Sequence, residues 1–265
     1  MRTSMNTKNR FLFLTASALG LSAALTACTP PAQQTAASKQ AAGGETLCVT
    51  PVSDNKRFLN EDLDALSLED LTALAGSGDN DALVLLGLRY TASASGNEIE
   101  KAVAYAKAIA LFRTAADKGH SHAEYLLGVA YMSGMGVSKD EVQAASWFRQ
   151  SAAQGNPAAQ YWIGEMSAKG RGGITADWKV ARPHFKDAAA GGSADAFIEL
   201  GFMYERGLGD LTQDYEKAAG CYRQGMRMGS QIAQYNLRVL IVEEHIVRQE
   251  GDPIIKPKTP EAPGD

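Results

Sequence analysis

A large apolar residue followed by glycine recurs through this chain at Leu86-Gly87, Leu127-Gly128, Ile163-Gly164 and Leu200-Gly201, in steps of 41, 36 and 37 residues. A fifth position, Leu237-Arg238, falls 37 residues further on and lacks the glycine. Alanine stands five residues before each site, at Ala82, Ala123, Ala159, Ala196 and Ala233, and Tyr90, Tyr131, Ser167 and Tyr204 follow the glycines by three. A second set keeps the same time. Phe112, Phe148, Phe185 and Tyr222 are each preceded at four residues by Ala108, Ala144, Ala181 and Ala218, and followed at seven by Gly119, Gly155, Gly192 and Gly229. A period of this size means one supersecondary unit copied along the chain. Each copy is too small to bury its own apolar face and needs its neighbour to do so.

The spacing within a unit says what the unit is. Residues four apart share one helix face, so each alanine and its aromatic lie together, and the glycine seven later ends that helix in a left-handed cap. The unit therefore reads helix, turn, helix, turn. Glycine inside the first helix costs about 1 kcal/mol relative to alanine, which makes sense where the neighbouring helix must approach closely. Abundant alanine and glycine with few β-branched residues agree with an all-α fold. "SLEDLTALAGSG" (67–78) is a half unit, with Ser67 and Asp70 placed to cap it. The first full unit carries an extended second helix opened by Asn97 and Glu100. Pro183 falls inside the second helix of the third unit, where it removes one backbone donor and predicts a kink or an early start. "SQIAQYNLRVLIVEEHIVRQE" (230–250) loses the glycine and ends in charge, as a terminal cap does.

The pattern A-x-x-x-L-G-x-x-Y-x-x-G-x-G, then A-x-x-x-F-x-x-A-A-x-x-G, resembles the Sel-one-like repeat family, a branch of the tetratricopeptide superfamily. "LLGVAYMSGMGVSKDEVQAASWFRQSAAQG" (126–155) carries it best. The resemblance covers roughly residues 79–240 and implies a right-handed α-solenoid of helix-turn-helix repeats. We therefore expect an α-solenoid over 61–250, with four full repeats between half-repeat caps. In such stacks the first helices line the concave side, through residues three before, one after and four after the small residue. The resemblance thus implies a protein-binding face of Tyr125, Tyr161 and Tyr235, then Val129, Glu165 and Phe202, then Met132 and Glu205. Tyrosine and phenylalanine with a few carboxylates suit a protein partner, although the same rings could equally serve packing between helices.

The ends of the chain read differently. "MRTSMNTKNR" is basic and "FLFLTASALGLSAALTA" (11–27) is uncharged, so residues 1–27 read as a secretory signal peptide. "LTAC" (Leu25–Cys28) resembles the bacterial lipobox, which implies acylation of Cys28 and cleavage before it. Two or three acyl chains anchor a protein stably. Thr29 replaces the aspartate that resembles an inner-membrane retention signal, so the expected location is the outer membrane, facing the periplasm. Residues 28–60, rich in Pro, Ala, Gln and Gly, read as a flexible tether. The Pro-rich 251–265 reads as a disordered tail.

Little in the sequence suggests chemistry. A net charge of −4 offers no concentrated positive face for nucleic acid. "HSHAE" (His120, His122, Glu124) holds three ligand types that must converge to bind a metal, but they read better as turn residues. The helix around His245 lacks the second histidine of a metalloprotease. No Ser-His-Asp order or phosphate loop is present, so neither enzyme nor cofactor is expected. Some bacterial members of the resembled family carry a cysteine pair in every repeat, and β-lactamase activity has been attributed to them. This chain lacks those pairs. Cys48 and Cys221 remain for an oxidising compartment. A straight solenoid would hold them too far apart to bridge, whereas an N-terminal segment that folds back would not, and the sequence leaves this open. Lipoproteins with these repeats resemble immunity proteins that neutralise type VI secretion phospholipase effectors. An envelope adaptor for cell-wall or secretion machinery is the alternative.

Overall fold

The computed structural model describes residues 63 and 65–253, all within one compact unit. The expected signal peptide, Cys28, the tether and Cys48 lie outside the described residues. So does the tail from residue 254 onward. Among the described residues there are ten helices of regular length and no strand. They are α1 (Leu68–Gly76), α2 (Asn80–Ala92), α3 (Glu98–Ala116), α4 (Ser121–Ser133), α5 (Glu141–Ala153), α6 (Pro157–Lys169), α7 (Trp178–Ala190), α8 (Ala194–Arg206), α9 (Tyr215–Arg227) and α10 (Gln231–Val242). Packing runs almost entirely between helices consecutive in sequence. The fold is a right-handed α-solenoid in which α2, α4, α6 and α8 are first helices, α3, α5, α7 and α9 are second helices, and α1 and α10 close the ends.

The repeated glycines hold the unit together by being absent side chains. A Cβ on Gly128 would lie 2.5 Å from the Phe148 ring, and on Gly201 2.4 Å from the Tyr222 ring. The ring of the second helix thus lies directly on the backbone of the first. Phe148, Phe185 and Tyr222 are fully buried beside Ala144, Ala181 and Ala218. Among the described residues no second helix packs on α10, and Arg238, which stands where the glycine was, is exposed.

One residue joins consecutive units. Gly155, Gly192 and Gly229 have φ of 82°, 90° and 86°, the left-handed conformation that the spacing predicts. The next residue then does two jobs. The Asn156, Ser193 and Ser230 backbone N–H groups donate back to the carbonyls of Ser151, Ala188 and Gly225. Their side chains cap the following helix, accepting from the N–H three residues on. His120 is the fourth member. Its Nδ1 accepts from the Ala123 N–H, which leaves the proton on Nε2 to donate to Asp81 at 2.8 Å. The histidine is therefore a cap and a tie to α2, not a loose turn residue.

The expected half unit and long helix are present. Ser67 accepts from the Asp70 N–H, and Asn97 accepts from Ile99 and Glu100 to open the 19-residue α3. Pro183 does not bring the early start that was one of its two expected effects. Helix α7 starts at Trp178 in the same register as α5 and α9, runs the same 13 residues and is not interrupted. Asp177 supplies its cap from the side chain, and Pro183, the sixth residue of the helix, leaves out one backbone bond, to the Lys179 carbonyl, in a helix that continues through it. The tail boundary at residue 251 also needs correction. Asp252 is 5% exposed, pairs with Arg223 through two 2.9 Å contacts and accepts from the Gln249 N–H, and Pro253 is buried beside it. A buried carboxylate needs such a partner, so the chain stays packed on α9 past 251.

Candidate protein-binding face

The first helices lie side by side. Tyr125 on α4 lies close to Trp162 on α6, and Tyr161 on α6 lies within the field of Glu199 and Asp195 on α8. The face they share contains most of the residues that the repeat register selects, in three kinds of setting. Tyr125, Val129 and Met132 are half-buried against the core, and the Met132 sulfur faces the Arg171 guanidinium at 3.4 Å. Tyr161 is half-buried, with its ring centroid 6.0 Å from that of Phe185. Phe202 is half-buried between the Trp178 ring and the Arg206 guanidinium. Glu205 accepts from the Tyr222 hydroxyl at 2.9 Å. Tyr235, at 64% exposed, is the one open ring of the set. Packing and display are thus shared: the α4 residues mainly support the stack, while Phe202 and Tyr235 reach solvent.

Glu165 is 8% exposed and pairs with Lys169 one turn on, at 2.5 Å. It has company that the register did not select. Glu199 on α8 is 7% exposed and makes no hydrogen bond among the described residues. Burial, and then the nearby Glu165, push its carboxyl up to about 7, against the pull of Lys169. Asp195, one turn before it, is exposed to solvent but recessed among protein atoms, and the same two causes raise it. Burial and these carboxylates also push the Tyr161 hydroxyl upward. Lys169 offsets this field at Glu199, and Glu165 also acts on the Arg171 guanidinium. Glu199 was missed because it lies two residues before the glycine, where the other units place Leu85, Leu126 and Trp162. An acid in an otherwise apolar column was the available signal.

The residues of "HSHAE" do not converge. His120 is tied to Asp81, and Glu124 is buried and accepts from Gln154 at 2.7 Å. Burial, and then His120, lower the His122 imidazole to about 4. No group of three metal-ligating side chains occurs among the described residues. His245 stacks on Tyr215 with centroids 4.1 Å apart. Cys221 is fully buried and disulfide-bonded. The chain has two other cysteines, Cys28 and Cys48, both outside the described residues. No helix of the described residues is long and apolar enough to cross a membrane.

Stacked helix pairs with a shared side-chain face define a protein-interaction scaffold. The chain belongs to the Sel1 repeat family, whose pattern matches residues 81–120, 121–156, 157–193 and 194–230, more than half of the chain. A crystal structure of a Sel1 repeat protein from Oxalobacter formigenes has the same fold, at 24% identity and a TM-score of 0.54, over 66% of this chain and 75% of that one. The chitin synthase regulator SKT5 of Saccharomyces cerevisiae is 30% identical over 107 residues, 40% of this chain and 15% of its own length. The DAP3-binding cell death enhancer 1 of Rattus norvegicus is 36% identical over 90 residues, 34% of this chain and 16% of its own length. The matched segment thus spans a fifth or less of these relatives.

Proposed function

We propose that the chain is a non-catalytic scaffold, held at the outer membrane by lipid on Cys28 and facing the periplasm, which grips a protein through its first helices. The observation that carries the binding reading is the α6–α8 face, which holds the half-buried Tyr161 and Phe202 rings together with the Glu165 and Glu199 carboxyls. The anchor rests on the sequence alone, from the basic start through "LTAC". Its sharper form is an immunity protein that occludes a type VI secretion phospholipase, since a tethered solenoid stands where a lipase meets its substrate.

The test is affinity capture with the chain from envelope extracts and from a toxin-expressing sister strain. A one-to-one complex with a lipase, with lipid hydrolysis blocked in the complex, supports the immunity role. Stable recovery of cell-wall or secretion components instead makes the protein an adaptor and ends the immunity reading. Either partner should bind less tightly to Phe202→Ala and Tyr235→Ala chains that keep their helical circular dichroism.

A further inference from the structure

We propose that Cys221 is bridged to Cys48 of the same chain, so that residues 49–62 run along the array as a strap and the segment ahead of Cys48 departs from α9 rather than from α1. Cys221 is disulfide-bonded, and the chain has two other cysteines, Cys28 and Cys48. Cys48 falls with Cys221 in the compact unit of residues 45–265, whereas Cys28 belongs to the other, residues 1–44. Cys221 is also fully buried, in the cluster of Phe197, Leu200 and Tyr222. The matching positions of the other second helices, Leu111, Trp147 and His184, are half-buried. A bridge needs its two Cα atoms within about 7 Å, and a sulfur sealed in its own core is closed to a cysteine of a second molecule.

The chain is long enough to make the bond, with little to spare. Leu63 packs with Leu71 and Ala82 at the first end of the array, and Cys221 lies on α9 in the last full unit. From α1 through α3, α5 and α7 to α9, spacings of about 10 Å give a gap on the order of 40 Å. The 15 residues from Cys48 to Leu63 reach about 50 Å when extended. The strap must therefore lie extended, and Val49, Thr50, Pro51 and Val52 favour that backbone. The bond forms by thiol–disulfide exchange. The Cys48 and Cys221 thiols pass two electrons and two protons to the disulfide of an envelope oxidoreductase, which becomes a dithiol. The consequence for function rests on the anchor reading above. Lipid on Cys28 leaves residues 29–47 as the tether, and the bridge makes that tether leave from the last full unit. Helices α9 and α10, with the exposed Tyr235, then stand nearer the membrane than α1 does.

The experiment uses the full chain purified in detergent, with thiols blocked by iodoacetamide and the protein digested without reductant. Mass spectrometry should recover a Cys48–Cys221 linked peptide pair, separable by reduction, from protein that runs as a monomer on non-reducing gels. Iodoacetamide on Cys221, or its bond to Cys28 or to a second chain, would overturn the proposal. The point of attachment is read on vesicles of phosphatidylethanolamine and phosphatidylglycerol that carry the chain. Arg57 is the one arginine between Cys28 and Leu63, so limited digestion with an arginine-specific protease cuts the strap and leaves the tether whole. The cut array should stay on the vesicles and leave when dithiothreitol is added. Cys48→Ser arrays with the same helical circular dichroism should leave on cutting alone. Parent arrays that leave without reductant sink the strap. A chain that never joins the vesicles yet yields the Cys48–Cys221 pair removes the anchor reading and leaves the bridge standing.

Discussion

Glu199 and Gly201 sit two residues apart on α8 and show two ways in which a repeat position is decided. At Gly201 packing overrides propensity. Alanine there would gain about 1 kcal/mol of helix preference, but its Cβ would sit 2.4 Å from the buried Tyr222 ring, and overpacking of that kind costs roughly 1–3 kcal/mol. Gly201→Ala should therefore lower the urea midpoint, with a net loss of up to about 2 kcal/mol. A raised midpoint would show that the ring yields freely. At Glu199 electrostatics overrides packing. Its folded pKa of about 7 lies above the unfolded value of 4.5, so the folded state binds the proton more tightly. Its favourable contribution is complete below pH 4.5 and is lost as pH rises through 7. Glu199→Gln should thus match the parent near pH 4 and exceed it at pH 8, by up to about 3 kcal/mol. Urea melts at the two pH values measure this, and equal differences at both would refute it. The repeat register carried Gly201 plainly, whereas Glu199 was visible only as an acid in a column of Leu85, Leu126 and Trp162.

At the scale of the element, caps decide where helices stop and start. Asn156 is nearly fully buried and accepts from the Ala158 and Ala159 N–H groups while its own N–H closes the end of α5. Asn156→Ala should cost about 1 kcal/mol, and up to about 2 because the freed donors are buried. Calorimetry of that variant against the exposed Ser67→Ala should rank the two in that order. The caps were legible at Ser67 and Asn97, where a polar residue precedes an acid by three. His120 was read as a turn residue, because histidine is an uncommon cap and its second tie, to Asp81, lies 39 residues away. The chain past 251 was misjudged for a related reason. Proline content predicted fraying, but the Arg223–Asp252 pair holds the segment on α9. Breaking such a buried pair costs about 3–5 kcal/mol, so Asp252→Ala should destabilise strongly and open the segment to proteolysis.

At the scale of the whole molecule, nearly all contacts join neighbours in sequence, so stability is close to a sum over units and their interfaces. Damage should stay local. In Gly201→Ala, hydrogen exchange should quicken in α8 and α9 while α4 and α5 keep most of their protection. Uniform quickening would mean that the array unfolds as one body. The same logic divides what the sequence determined from what the tertiary structure decided. Unit length, helix order, the glycine-to-ring contacts and the left-handed links all follow from spacings within a unit, because they depend on residues close together in the chain. The setting of the first-helix face does not. Whether Tyr161 packs or displays its ring, whether Glu165 keeps Lys169 to itself, and how deeply Glu199 is buried are fixed by helices about 37 residues apart coming side by side. Burial and charge act through space, and the sequence lists residues only along the chain.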